Sequence, residues 1–187
     1  MFKEVNSPMN AYIMNDPPKN SEPDLVPRIK QGIELAKKDG FTHCYIIEDD
    51  DFYNVGHLNR SLDFDFFGYT DSTYYNLRNR TYATFKHPER SSLFTTAFKI
   101  SALDGFDWPS DNKVFLDIAL WNFAKKTKKK IKLLKNNPCL GIKHNLGLVG
   151  GRGHRMNMRN KDNDLRFLKS RVSEEAFEFY KTLMLTL

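Results

Sequence analysis

The sequence is poor in cysteine: Cys44 and Cys139 are its only two among 187 residues. That is too few for a disulfide framework or a cysteine-built zinc site, and it points to a reducing cytoplasm. Long apolar runs are also missing. The longest are a few residues, such as Tyr45-Ile46-Ile47, so no membrane span is expected. The opening stretch Met1-Phe2-Lys3-Glu4-Val5-Asn6 has no signal-peptide core. No G-x-S-x-G elbow and no Walker sequence occur, which sets aside a serine hydrolase and a P-loop enzyme. What is present belongs to a folded chain: 40% hydrophobic and 13% aromatic residues exclude disorder, and the length suits one domain.

Charge is unevenly placed. The balance is 29 basic against 23 acidic residues, a net +6. Seven lysines and no acid lie between Lys125 and Lys135, and seven more Arg and Lys between Arg152 and Arg171. Seven acids and one arginine lie between Glu48 and Asp71. An acidic centre with basic flanks suits a metal-bearing cleft that receives a polyanion, although a solvated basic face gives the same counts.

Five of the eight prolines fall between residues 8 and 27, so residues 1–26 read as an extended segment. Pro27 then opens a helix whose inward stripe is Ile29, Ile33 and Ala36 and whose stop is Gly40. Residues 42–47 read as a buried strand ending in the acids Glu48-Asp49-Asp50-Asp51. Phe64 to Thr70 reads as a strand, residues 74–77 and 81–85 as a hairpin turning near Asn79, and Leu93 to Phe98 as another strand. Ser110 or Asp111 caps a helix running to about Lys126, with Val114, Ile118 and Trp121 inward. Short strands follow at 131–134 and 139–142, then a loop at 147–153, and a closing helix within 160–187, opened by Ser173, with Phe177, Tyr180, Leu183 and Met184 on one face. This order predicts an α/β fold with a mixed sheet flanked by helices.

Three constellations carry chemistry. The acidic run is the first: four adjacent carboxylates repel one another, and hard oxygen ligands suit Mg²⁺ or Mn²⁺. In extended chain Asp49 and Asp51 share a side and Asp50 faces the other, which makes Asp49 and Asp51 the candidate metal pair. The second is residues 141–154, with five glycines, where Lys143 and Arg152 can meet phosphate and His144 or His154 can complete a metal shell. The third is Asp117, on or beside the apolar stripe of its helix, a candidate general base or the partner of a nearby lysine. Trp108, Tyr74 and Tyr75 are weaker candidates for stacking on a sugar or base. His43, His57 and His87 show no ligand spacing.

The ordered set resembles a glycosyltransferase of the GT-A fold, near the family-2-like branch. That set is the helix beginning Arg28-Ile29-Lys30, the strand ending in Asp49-Asp50-Asp51, the stretch Ala102-Leu103-Asp104-Gly105-Phe106-Asp107, the helix bearing Asp117, and the glycine- and histidine-rich end up to His154. The resemblance implies a single domain with a mixed, mostly parallel sheet. It implies a nucleotide-sugar donor, a UDP-sugar foremost, bound through Asp49, Asp50, Lys143 and Arg152. Mn²⁺ or Mg²⁺ would be held by Asp49 and Asp51 with His154 or His144, and Asp117 would serve as the base of an inverting transfer. With 48 residues before Asp49, many of them in the proline-rich segment, the part that forms the nucleotide-base pocket is abbreviated or completed by a partner chain or oligomer. The small size and basic surface also resemble phage-type glycosyltransferases that act on hydroxymethylated pyrimidines, with DNA as acceptor and a bacterial or phage-infected cell as the setting. Two other readings remain open: a nucleic-acid-binding protein on a degenerate transferase scaffold, and a metal-dependent nuclease.

Overall fold

A computed structural model describes residues 25–54, 63–109, 115–144 and 157–187. The proline-rich segment, His57, the expected caps Ser110 and Asp111 with Val114, and the glycine-rich stretch with Arg152 and His154 fall outside the described residues.

Helix α1 (Leu25–Lys38) has Pro27 in its first turn, where no intrahelical N–H is needed, and Lys37 and Lys38 in its last, where cations suit the helix dipole. Ile33 and Ala36 are its buried residues, and Gly40, at φ +82°, ends it as expected. Strand β1 (His43–Tyr45) is shorter than the apolar run that announced it. The chain then enters β2 (Phe66–Tyr69) and β3 (Asp71–Asn76), which are separated only by Thr70. β3 forms the expected hairpin with β4 (Thr81–Lys86), closed by the Asn79 N–H donating to Asn76 Oδ1 at 2.9 Å.

The expected strand at 93–98 divides into a 3₁₀ turn, Leu93–Thr95, and strand β5 (Ala97–Lys99). Local hydroxyls account for this. The Thr96 hydroxyl donates to Ser92 O at 2.9 Å, and Ser91 and Thr95 hydroxyls meet at 2.9 Å, so the chain satisfies itself instead of joining a ladder. Helix α2 (Leu116–Lys126) follows, burying Leu116, Leu120, Trp121 and Ala124. Then come β6 (Ile131–Leu134) and β7 (Gly141–Lys143). The closing helix opens at Ser173 as expected: α4 (Glu174–Met184) is capped by the Ser173 hydroxyl, which accepts from Ala176 N at 3.2 Å, and before it residues 160–171 hold β8 (Asn160–Lys161) and α3 (Arg166–Arg171).

The strands make two sheets, in the orders β1-β5-β2-β6 and β7-β3-β4-β8. The architecture is α/β with mixed sheets. Only β2/β6 and β3/β7 are parallel, and the other four named pairings are antiparallel. The two sheets are joined through Thr70, whose N–H and hydroxyl both donate to Leu134 O, at 2.8 and 3.2 Å. One apolar core packs α1 and α2 on the first sheet around Phe66, Phe98 and Trp121. A second packs α3 and α4 on the second sheet around Tyr75, Ile142, Leu168 and Phe177. No helix among the described residues is long and apolar enough to cross a membrane.

Candidate functional site

The acidic run leaves β1, an edge strand of the first sheet, and is pinned at both ends. Ile46 N–H donates to Thr96 O at 3.0 Å. Phe52 exchanges two backbone bonds with Leu140, each 2.9 Å, at the entrance to β7. Residues 48–51 therefore span from one sheet to the edge of the other. They do so as a turn, closed by Asp51 N–H donating to Glu48 O at 3.3 Å.

That turn changes which carboxylates meet. β1 ends at Tyr45, so the alternation of an extended chain does not reach the acids. One oxygen from each of Glu48, Asp50 and Asp51 lies within 4.8 Å of the others. Asp49 is exposed and is not one of this group. Of the expected metal pair, Asp51 thus joins Glu48 and Asp50, while Asp49 lines an adjoining cavity. Glu48 had no role assigned from the sequence. The turn that brings it in has no periodic signature.

Asp51 is the centre of the group. It is only 8% exposed, and its Oδ1 accepts from Ile142 N at 2.6 Å. Its Oδ2 is buried with no hydrogen-bond partner. Burial pushes its carboxyl well above the usual carboxylate range, Glu48 and Asp50 push it further, and Lys143 and the Ile142 N–H oppose them. Glu48 is raised by burial as well, against the opposing charge of Lys143 and with the added repulsion of Asp50 and, more weakly, Asp117. A buried carboxylate oxygen without a donor is costly. Three carboxylates, each with an oxygen within 4.8 Å of the others, are hard ligands of the kind Mg²⁺ or Mn²⁺ takes, with water and phosphate completing the shell. The donor set fits such an ion.

The surrounding groups hold the turn in place. Lys143 Nζ lies 3.7 Å from Glu48 Oε2 and 5.4 Å from the Tyr74 ring centroid. His144 Nε2 lies 3.2 Å from Asp50 Oδ2. Lys143 at the end of β7 and His144 just after it are thus both at the acids. Gly141 makes this possible, because a Cβ there would stand 2.4 Å from the Tyr74 ring. Two tyrosines that the sequence did not mark as site residues complete the frame. Tyr53 OH accepts from Glu48 N at 2.9 Å, and Tyr180 OH, from α4, donates to Asp50 O at 3.2 Å. Nothing local announces that α4, some 130 residues onward, returns to this turn.

Asp117 sits in the first turn of α2 and is ion-paired with Arg90. The partner is thus an arginine from the turn after β4, and not the lysine expected from the sequence. The weaker stacking candidates pack into cores. Trp108 meets Phe106 edge-on at 4.9 Å, Tyr75 is fully buried, and Tyr74 lies 5.4 Å from Phe94. Burial pushes the Cys44 thiol up to about 11 and that of Cys139 to about 12, so neither is a thiolate nucleophile at neutral pH. In comparisons with protein-family models, curated proteins and solved structures, nothing matches the chain.

Proposed function

We propose that the chain is a divalent-metal-dependent glycosyltransferase moving a sugar from a nucleotide-sugar donor, a UDP-sugar foremost, to an acceptor hydroxyl. The observation that carries this reading is the buried, unpartnered Asp51 Oδ2 among three converging carboxylates. Glu48, Asp50 and Asp51 would hold Mn²⁺ or Mg²⁺, with His144 and His154 as further candidates. The ion's chemistry, when bound, is to neutralise charge developing on the departing nucleotide diphosphate.

The chain's own residues do the rest. Lys143 adds a fixed positive charge beside Glu48, suited to a donor phosphate. Asp117, oriented by Arg90, accepts the proton of the attacking hydroxyl. The new bond forms between that oxygen and the anomeric carbon as the bond from that carbon to phosphate breaks, with the electron pair leaving on the diphosphate. Acids placed just beyond a strand's carboxyl end, next to a helix-flanked mixed sheet, support the GT-A likeness.

Thermal unfolding with Mn²⁺ and a panel of nucleotides and nucleotide sugars tests this. A ligand that binds the native state raises its melting temperature. The expected result is a rise that needs Mn²⁺ and is lost in Asp51→Asn. Absence of any metal-dependent rise would end the proposal.

One further observation favours DNA as the acceptor. Lys129 lies 5.9 Å from the Phe123 ring centroid, and Lys130 and Lys132 lie 4.9 and 5.7 Å from that of Phe64. These contacts hold part of the lysine run as an ordered cationic surface. Neutralising Lys128, Lys129 and Lys130 should weaken DNA binding and flatten its salt dependence by about three ions. If DNA binding survives Asp51→Asn in a chain that never transfers sugar, nucleic-acid binding is the function and transfer is not.

A further inference from the structure

A cavity of about 270 Å³ adjoins the acidic turn, lined by Asp49, Asp50 and His144 together with Phe179, Tyr180 and Leu183 of α4. It shares Asp50 with the carboxylate cluster, and Asp49, which is not one of that cluster, lines it. The Phe179 ring is 62% exposed although its helix neighbours Phe177 and Tyr180 are buried.

The lining restricts the occupant. Its polar side chains are two carboxylates, an imidazole and one phenol, so a phosphate placed there without a cation would be repelled. Carboxylates only accept hydrogen bonds, and they are best satisfied by a ligand rich in O–H donors. A nucleobase also presents acceptors, which would face those carboxylates unfavourably. The exposed ring offers a flat apolar surface for the C–H face of a saturated ring. The volume lies just under the roughly 300–1,000 Å³ of drug-sized sites, enough for one ring and not for a nucleoside with its phosphates.

We infer that this cavity is a pyranose subsite, with Phe179 as the stacking surface and Asp49, which takes no part in the carboxylate cluster, as the partner for ring hydroxyls. The inference deepens the glycosyltransferase reading and rests on it for the origin of the sugar. The ring is either the sugar carried by the donor nucleotide or a sugar acceptor, and the chemistry of the pocket is the same for both.

Ligand-observed saturation-transfer NMR on metal-free protein tests it, with glucose, galactose, mannose and N-acetylglucosamine as sugar probes and uridine and adenosine as nucleoside probes. At least one sugar should take up saturation from the wild type. Phe179→Ala, at an exposed position, should weaken it about fivefold to tenfold. Asp49→Asn should weaken it as well, with both variants' melting temperatures near that of the wild type. No sugar signal, a signal unchanged in Phe179→Ala, or displacement of the sugar by a nucleoside overturns the inference. Calorimetry with UDP and UDP-glucose in Mn²⁺ separates the sources. A fall in the UDP-glucose to UDP affinity ratio in Phe179→Ala assigns the subsite to the donor, and an unchanged ratio with free-sugar binding lost assigns it to the acceptor. If wild type binds neither nucleotide with Mn²⁺, the transferase reading fails while the sugar result stands or falls alone.

Discussion

Asp51 and Asp162 are both buried aspartates, 8% and 4% exposed, and they have opposite surroundings. Asp162 precedes α3 and has a donor on each oxygen: one accepts from Phe167 N at 2.9 Å and the other from Leu168 N at 3.0 Å. It satisfies two backbone donors at the start of a helix and leaves neither oxygen unpartnered. Asp51 accepts one backbone bond and keeps the other oxygen buried and bare, beside two more carboxylates. Asp71 lies between them. Its Oδ2 accepts from Asn137 N at 3.1 Å and its Oδ1 is unpartnered, yet among the described residues it belongs to no group of three converging ligands. An orphaned oxygen by itself is thus a tolerated cost, and an orphaned oxygen among neighbouring acids is the arrangement on which the metal proposal rests.

Removing the charge at each position breaks the comparison in a different way. The largest effect belongs to Asp51→Asn. On the transferase proposal, turnover of a UDP-sugar in Mn²⁺ should fall by about 10²–10³-fold or more, because the proposed ion site loses its buried carboxylate. The metal-free protein should nevertheless be no less stable than wild type, since a buried, repelled carboxylate has been neutralised. Asp162→Ala should do the reverse. Two buried N–H donors lose their acceptor, which costs about 2–3 kcal/mol in denaturant unfolding, while the metal response persists. Asp71→Asn should leave the metal response intact and shift stability by about 1–2 kcal/mol at most. A metal response lost in Asp71→Asn but kept in Asp51→Asn would mean that the wrong aspartate has been placed at the site.

Sequence patterning showed this site only in part. The acids after an apolar run were visible, as were Lys143 and His144 in a glycine-bearing stretch, because charge and glycine content are local properties. The choice of Glu48 over Asp49 was not, since it depends on β1 ending at Tyr45 and the chain turning instead of extending. α1 and the β3–β4 hairpin follow patterns of period 3.6 and 2, with Gly40 and the residues around Asn79 marking their ends. The 93–98 segment misled because its apolar content suggests a strand, whereas its serine and threonine hydroxyls bond backward onto the chain. Arg90 against Asp117 and Tyr180 against Asp50 are tertiary contacts across 27 and 130 positions, and no window of sequence contains both partners.

The smallest predicted effect is the pH dependence of the metal-free protein. Asp51 and Glu48 bind protons more tightly folded than unfolded, because burial and mutual repulsion raise them. Above an unfolded carboxylate value of about 4, the native state therefore holds more protons than the unfolded chain, and stability falls as pH rises through the raised folded values. The contribution is complete below about pH 4 and lost above those values, with a slope of at most about 1.4 kcal/mol per pH unit for each proton. Asp51→Asn should remove most of this slope, whereas Asp162→Ala should keep it. Saturating Mn²⁺ should also flatten it, because the ion then occupies the place of the proton. Denaturant unfolding from pH 5 to pH 8, with and without Mn²⁺, measures all three. A slope that is the same in wild type and Asp51→Asn would show that the acid turn opens to water and that its carboxylates are not held together by the fold.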